Sequence, residues 1–115
     1  MSKSDRQYFR LKYPIKLAPY IEMKSKMKSE MITLIELAEE SCVFHQPFPN
    51  IYSLGEPVQG ELHYANKQKD LIEGYVLFIR GDKVVVKLTK GVTFQRIMEE
   101  QRFIRQHCPD FQFKL

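Results

Sequence analysis

Residues 71–88, LIEGYVLFIRGDKVVVKL, constrain this 115-residue chain more than any other stretch. Two runs of β-branched and aromatic residues, Tyr75 to Ile79 and Val84 to Leu88, flank RGDK, where Gly81 supplies the backbone freedom of a tight turn. Such side chains pack well on a pleated surface and lose rotamer freedom on a helix. The stretch predicts a β-hairpin, and an isolated hairpin is not stable in water, so other strands must lie beside it.

Those strands are legible upstream. YPIKLAPYIEM alternates Ile15, Leu17 and then Tyr20 or Ile21 with polar residues, which predicts a half-buried strand broken at Pro19. The lysines of EMKSKMKSE alternate with Met and Ser, as on an exposed strand or hairpin loop. Ile32 to Leu37 and Cys42 to Phe44 are apolar runs separated by AEES, a strand, turn and strand. HQPFPNIYSLGEP is dense in Pro, Asn and Gly and reads as a loop, after which PVQGELHYA predicts a strand carrying Val58, Leu62 and Tyr64.

The period changes at Thr93. Phe94, Ile97, Met98, Ile104 and Cys108 fall near one helical face, Thr93 suits an N-cap, and Pro109 ends the run. The expected fold is mainly β: a small antiparallel barrel of about six strands over residues 13–92, with one α-helix over 93–108. A segment 1–12 precedes it and a tail 109–115 follows, and with 43% hydrophobic residues the chain has one core and one domain. The segment 1–12 offers few apolar residues to offset the entropy of ordering and is expected to be mobile.

Composition narrows the function. The formal charge is +4, and residues 1–30 hold eight basic and three acidic side chains against ten and eleven in the remainder, so an anionic partner is expected at the N-terminal end. Beyond that end the charge is near balance, which disfavours a single-stranded nucleic-acid track, and no DNA or RNA partner is expected. No apolar run approaches the length of a membrane span and no signal-peptide core is present; the expectation is no membrane insertion and a cytoplasmic location. Cys42 and Cys108 read as buried thiols rather than a disulfide. His45, His63 and His107 are not at ligand spacing, so no metal is expected, and no phosphate loop or nucleophile–base pair argues for an enzyme or a cofactor. RGDK is accounted for by the hairpin turn.

SDRQYFRLKYP, near the N-terminus, is the stretch with chemistry to explain. Arg6 and Arg10 in R-x-x-x-R bring two guanidinium forks to one anion, each able to hold a phosphate or the N7 and O6 edge of guanine, with Tyr8 and Phe9 between them. Together with the strand order, this stretch resembles the N-terminal motif of the PilZ domain family, bacterial receptors for cyclic di-GMP. EGYVLFIRGDKVVVKL and the closing helix resemble the family's C-terminal half. The family's second motif, Asp or Asn, x, Ser, x, x, Gly, falls on ELAEES: Glu36 stands for the Asp or Asn, Ala38 for the Ser and Ser41 for the Gly.

The resemblance implies a cyclic di-GMP site of Arg6, Arg10 and Glu36, with Ala38 and Ser41 at the other positions of the second motif, closing when the N-terminal segment folds over the barrel and presenting a changed surface to a protein effector. Each departure has a cost. Glu36 keeps an acceptor for guanine N1 and N2 but sets it one methylene further out. Ala38 lacks a hydroxyl worth about 1.5–3 kcal/mol when it donates to phosphate. Ser41 is expected to carry roughly 1 kcal/mol of strain if its turn needs a left-handed backbone. The alternative that these departures leave open is an adaptor that binds no nucleotide and acts through protein contacts alone.

Overall fold

The computed structural model describes residues 10–24, 29–47 and 51–111. Seven strands occur there: β1 Leu11–Lys12, β2 Tyr20–Lys24, β3 Ser29–Ala38, β4 Ser41–His45, β5 Pro57–His63, β6 Lys69–Arg80 and β7 Lys83–Lys90. One helix, α1, spans Phe94–His107. The sheet runs β3-β2-β5-β6-β7-β4 and closes because β4 also pairs with β3; all these pairings are antiparallel. The expected six-stranded barrel with a C-terminal helix is therefore present, and β1 adds to it by pairing Leu11 with Leu37 and Lys12 with Glu36. Among the described residues no helix is long and apolar enough to cross a membrane.

Period-two burial builds the core. Ile21 and Met23 of β2, Val58 and Leu62 of β5, Ile72 and Val76 of β6, and Val84, Val86 and Leu88 of β7 point inward, with Phe44 fully buried and edge-on to Tyr52 at 5.1 Å. Gly81 takes φ 61° in the β6–β7 turn, as RGDK predicts.

One expectation is corrected at the N-terminal side. Ile15 and Leu17 are not in a strand: Ile15–Leu17 is one 3₁₀ turn, and Ile15 is 95% exposed. Pro14 and Pro19 have no N–H to offer a neighbouring strand, and between them the backbone turns on itself, Leu17 N donating to Pro14 O and Ala18 N to Ile15 O, so the strand starts only at Tyr20. Leu11 is fully buried and Lys12 is paired, so within the expected mobile segment these two residues belong to the sheet. Residues 1–9 of that segment lie outside the described residues.

The helix lies where its signals place it, with Thr93 Oγ1 accepting from Arg96 N at 3.0 Å, but its buried face differs from the one that the apolar pattern suggests. Ile97 and Ile104 are buried together with Glu100 and Gln101, while Phe94 and Met98 are only half-buried. Glu100 is 1% exposed; Tyr13 donates to its Oε1 at 3.0 Å and Asn66 Nδ2 to its Oε2 at 3.2 Å. Burial raises its pKa above the ordinary carboxylate value. Nearby, Tyr64 donates to Asp70 at 2.8 Å and Arg96 Nε to the same oxygen at 3.0 Å, with the Arg96 guanidinium 5.0 Å from the centre of the Tyr64 ring. The helix is thus docked by polar contacts as well as by two isoleucines. The cysteines are free, as expected, but only Cys42 is fully buried, which pushes its thiol up to about 12; Cys108 is half-buried.

Candidate functional site: a basic cleft across five strands

The register of the sheet lines up one outward row. Lys12 of β1 faces Glu36 of β3, Glu36 faces Val43 of β4, Val43 faces Val85 of β7, and Val85 faces Phe78 of β6. These five side chains line a cleft of about 430 Å³, flanked at one end by Ala38 and Ser41 and at the other by Arg80 and Lys83, with Arg10 and Leu77 on its walls. That volume lies within the range of small-molecule sites. A register irregularity between Leu34 and Glu36 sets the outward phase of this half of β3.

Four basic side chains, Arg10, Lys12, Arg80 and Lys83, surround a single carboxylate, Glu36. Among the described residues none of these four cations forms an ion pair, whereas Lys69, Lys87 and Arg96 do. Arg80 instead sits 5.6 Å from the centre of the Phe78 ring. Phe78 is 40% exposed and Leu77 50%, an unusual expense of apolar surface on a small barrel. A cleft that offers cations without an ion pair among the described residues, one carboxylate acceptor and an exposed aromatic face suits an anion that also carries a flat, hydrogen-bonding ring.

Of the residues singled out in the sequence, Arg10, Glu36, Ala38 and Ser41 come together in this cleft, although Arg10 and Ser41 are 31 positions apart in the chain. Arg6 lies outside the described residues. Ala38 is 4% exposed, so its methyl forms floor rather than rim. The strain expected at Ser41 is absent. Ser41 is an ordinary strand residue paired with Ala38 and Lys87, and among the described non-glycine residues only Lys67 has a positive φ.

The β3–β4 turn is braced from outside. Glu40 O accepts from Leu88 N at 2.8 Å and Glu39 O from Val92 N at 3.2 Å. Gly91 is what permits this approach, since a Cβ there would overlap the Glu39 carbonyl oxygen.

Phe78, Arg80, Lys83 and Lys12 were not singled out from the sequence. The signal of Phe78, Arg80 and Lys83 was an aromatic and two bases at the RGDK hairpin, which also has a purely local explanation, and Lys12 stood beside Arg10 without a motif of its own. A second cleft of about 390 Å³ runs beside α1, lined by Asn66, Gln68, Arg96, Glu99, Arg102 and Phe103. There Arg96 is already engaged by Asp70 and Glu99, so the second cleft has less unspent charge. No protein-family model matches the chain, and no curated protein matches it.

Proposed function

We propose that the protein is a PilZ-like receptor for cyclic di-GMP, binding in the basic cleft and relaying occupancy to a protein effector through the changed surface. The observation that carries this reading is that Arg10, Glu36, Ala38 and Ser41, chosen for their positions in two separate motifs, line one cleft with Lys12, Arg80, Lys83 and an exposed aromatic. Arg10 takes a phosphate or the N7 and O6 edge of a guanine, with Arg6 four positions earlier as the second fork. Glu36 accepts from guanine N1 and N2. Phe78 offers a stacking face, worth about 1–3 kcal/mol per base. Lys12, Arg80 and Lys83 balance the two phosphodiester charges. On this reading the receptor acts in the bacterial cytoplasm, where the ligand is made.

One calorimetric titration of the full chain with cyclic di-GMP tests the proposal. Saturable binding that weakens about 5- to 150-fold in Arg10→Ala is expected, the equivalent of one bidentate contact of about 1–3 kcal/mol. Absence of binding at millimolar ligand would reject it.

The second reading, an adaptor without a nucleotide, has its own support. The buried methyl of Ala38 occupies the place of a hydroxyl, and Leu71, Tyr75, Leu77 and Phe78 leave a run of exposed apolar surface along β6. Under that reading the titration shows no heat and the β6 face carries the contacts.

A further inference from the structure

On the outer face of β2 and β5 the register sets Glu22 directly opposite Glu61, and Tyr20 directly opposite His63. Like charges facing each other across a strand pair repel. The arrangement answers with His63, whose Nε2 lies 3.3 Å from Glu22 Oε1 and 3.0 Å from Glu61 Oε1. Tyr20 stacks on the imidazole with the ring centres 4.7 Å apart and the planes 11° apart, which fixes the plane in which Nε2 points. All three residues are half-buried, and one donor atom of each lies within 4.8 Å of the other two.

We propose that Glu22, Glu61 and His63 bind a divalent transition cation of the Zn²⁺ class. Donors about 2.0–2.2 Å from such an ion stand roughly 3.0–3.5 Å apart. The two His63 separations, 3.0 and 3.3 Å, lie in that range, and the Glu22 and Glu61 oxygens lie within 4.8 Å of each other. A dication takes a lone pair from the imidazole and from each carboxylate at once, and so also offsets the repulsion between Glu22 and Glu61. Mixed imidazole and carboxylate donors suit Zn²⁺ better than Mg²⁺ or Ca²⁺, which favour oxygen-only shells.

The rest of the coordination sphere opens toward solvent, since the Glu22 side chain is 43% exposed, and water completes it. Lys69 Nζ is 3.8 Å from Glu61 Oε2, while Oε1 of the same carboxylate faces His63. The site shares no residue with the basic cleft, so it stands independently of the nucleotide proposal.

The test is a calorimetric titration of the EDTA-treated full chain with ZnCl₂ alone, with Co²⁺ as the visible-absorbing substitute. One ion per chain is expected, and both Glu61→Gln and His63→Gln should lose at least about tenfold in affinity, since even changes behind a ligand cost that much. His45→Gln and His107→Gln should bind as wild type. On the unaltered protein, NMR should show Zn²⁺ shifting the imidazole signals of His63 ahead of those of His45 and His107, which keeps the test intact if a variant fails to fold. No saturable uptake, uptake indifferent to Glu61→Gln and His63→Gln, or first shifts at His45 or His107 would each overturn the assignment.

Discussion

Replacing Glu100 tests how the helix is held to the barrel and whether its buried carboxyl behaves as the contacts require. In Glu100→Ala, Tyr13 and Asn66 both lose their acceptor. Hydrogen bonds to a charged group are worth about 1.5–3 kcal/mol each, and the hole left at a site 1% exposed adds to the loss. Relief of the carboxylate's desolvation, itself several kcal/mol, offsets part of this. The net cost is about 2–4 kcal/mol, which at this chain length lowers the melting temperature by about 8–16 °C.

Glu100→Gln keeps an acceptor oxygen and the shape, so it should cost about 1 kcal/mol or less near neutral pH. The pH dependence separates the two explanations. Burial raises the Glu100 pKa above its ordinary 4.5, against the opposing pull of the Tyr13 hydrogen bond and Arg96. Between 4.5 and the raised value the folded state therefore holds more protons than the unfolded one, and stability falls as pH rises. The contribution is fully present below 4.5 and is lost as pH climbs through the folded value. Denaturant unfolding of wild type and Glu100→Gln from about pH 4 to pH 8 reads this directly. The stability difference, wild type minus variant, should shrink with rising pH. A flat difference, or one that grows, would refute the burial argument.

Three further outcomes are expected. Gly91→Ala should destabilise by about 1–3 kcal/mol, because the new Cβ drives into the Glu39 carbonyl and the β3–β4 turn must shift; a melting temperature equal to wild type would show that the brace is slack. Phe78→Ala should lower cyclic di-GMP affinity by about 1–3 kcal/mol while leaving the fold intact, since the ring is 40% exposed; an unchanged dissociation constant would remove Phe78 from the site. Ala38→Ser should strengthen binding roughly tenfold, from a charged hydrogen bond of about 1.5 kcal/mol, and calorimetry showing no gain would mean that the cleft floor does not meet phosphate.

The hairpin around Gly81 and the helix after Thr93 were legible because their signals are local: β-branched runs about a glycine turn, and a capped 3.6-residue period. Ile15 and Leu17 misled because alternation alone cannot show that the backbone after Pro14 closes a 3₁₀ turn of its own. Glu100 was missed because a carboxylate on a helical pattern reads as solvated; the arrival of Tyr13, 87 positions away, and of Asn66, 34 away, makes its burial tolerable. The same distance problem hid half of the cleft. Glu36 and Ser41 belong to one short motif, whereas Phe78 joins them only through the β4–β7 and β6–β7 pairings, which no short pattern encodes. Glu22 and His63 are likewise 41 positions apart and meet through the β2–β5 register.

The most direct test of the receptor reading is an amide chemical-shift titration of the full chain with cyclic di-GMP. The reading predicts shifts that saturate together at Lys12, Glu36, Val43, Val85 and Phe78, the row that crosses five strands, with Arg10 and Ser41 following the same curve. Shifts centred instead on Asn66, Arg96 and Phe103 beside the helix, or none at millimolar ligand, would contradict it.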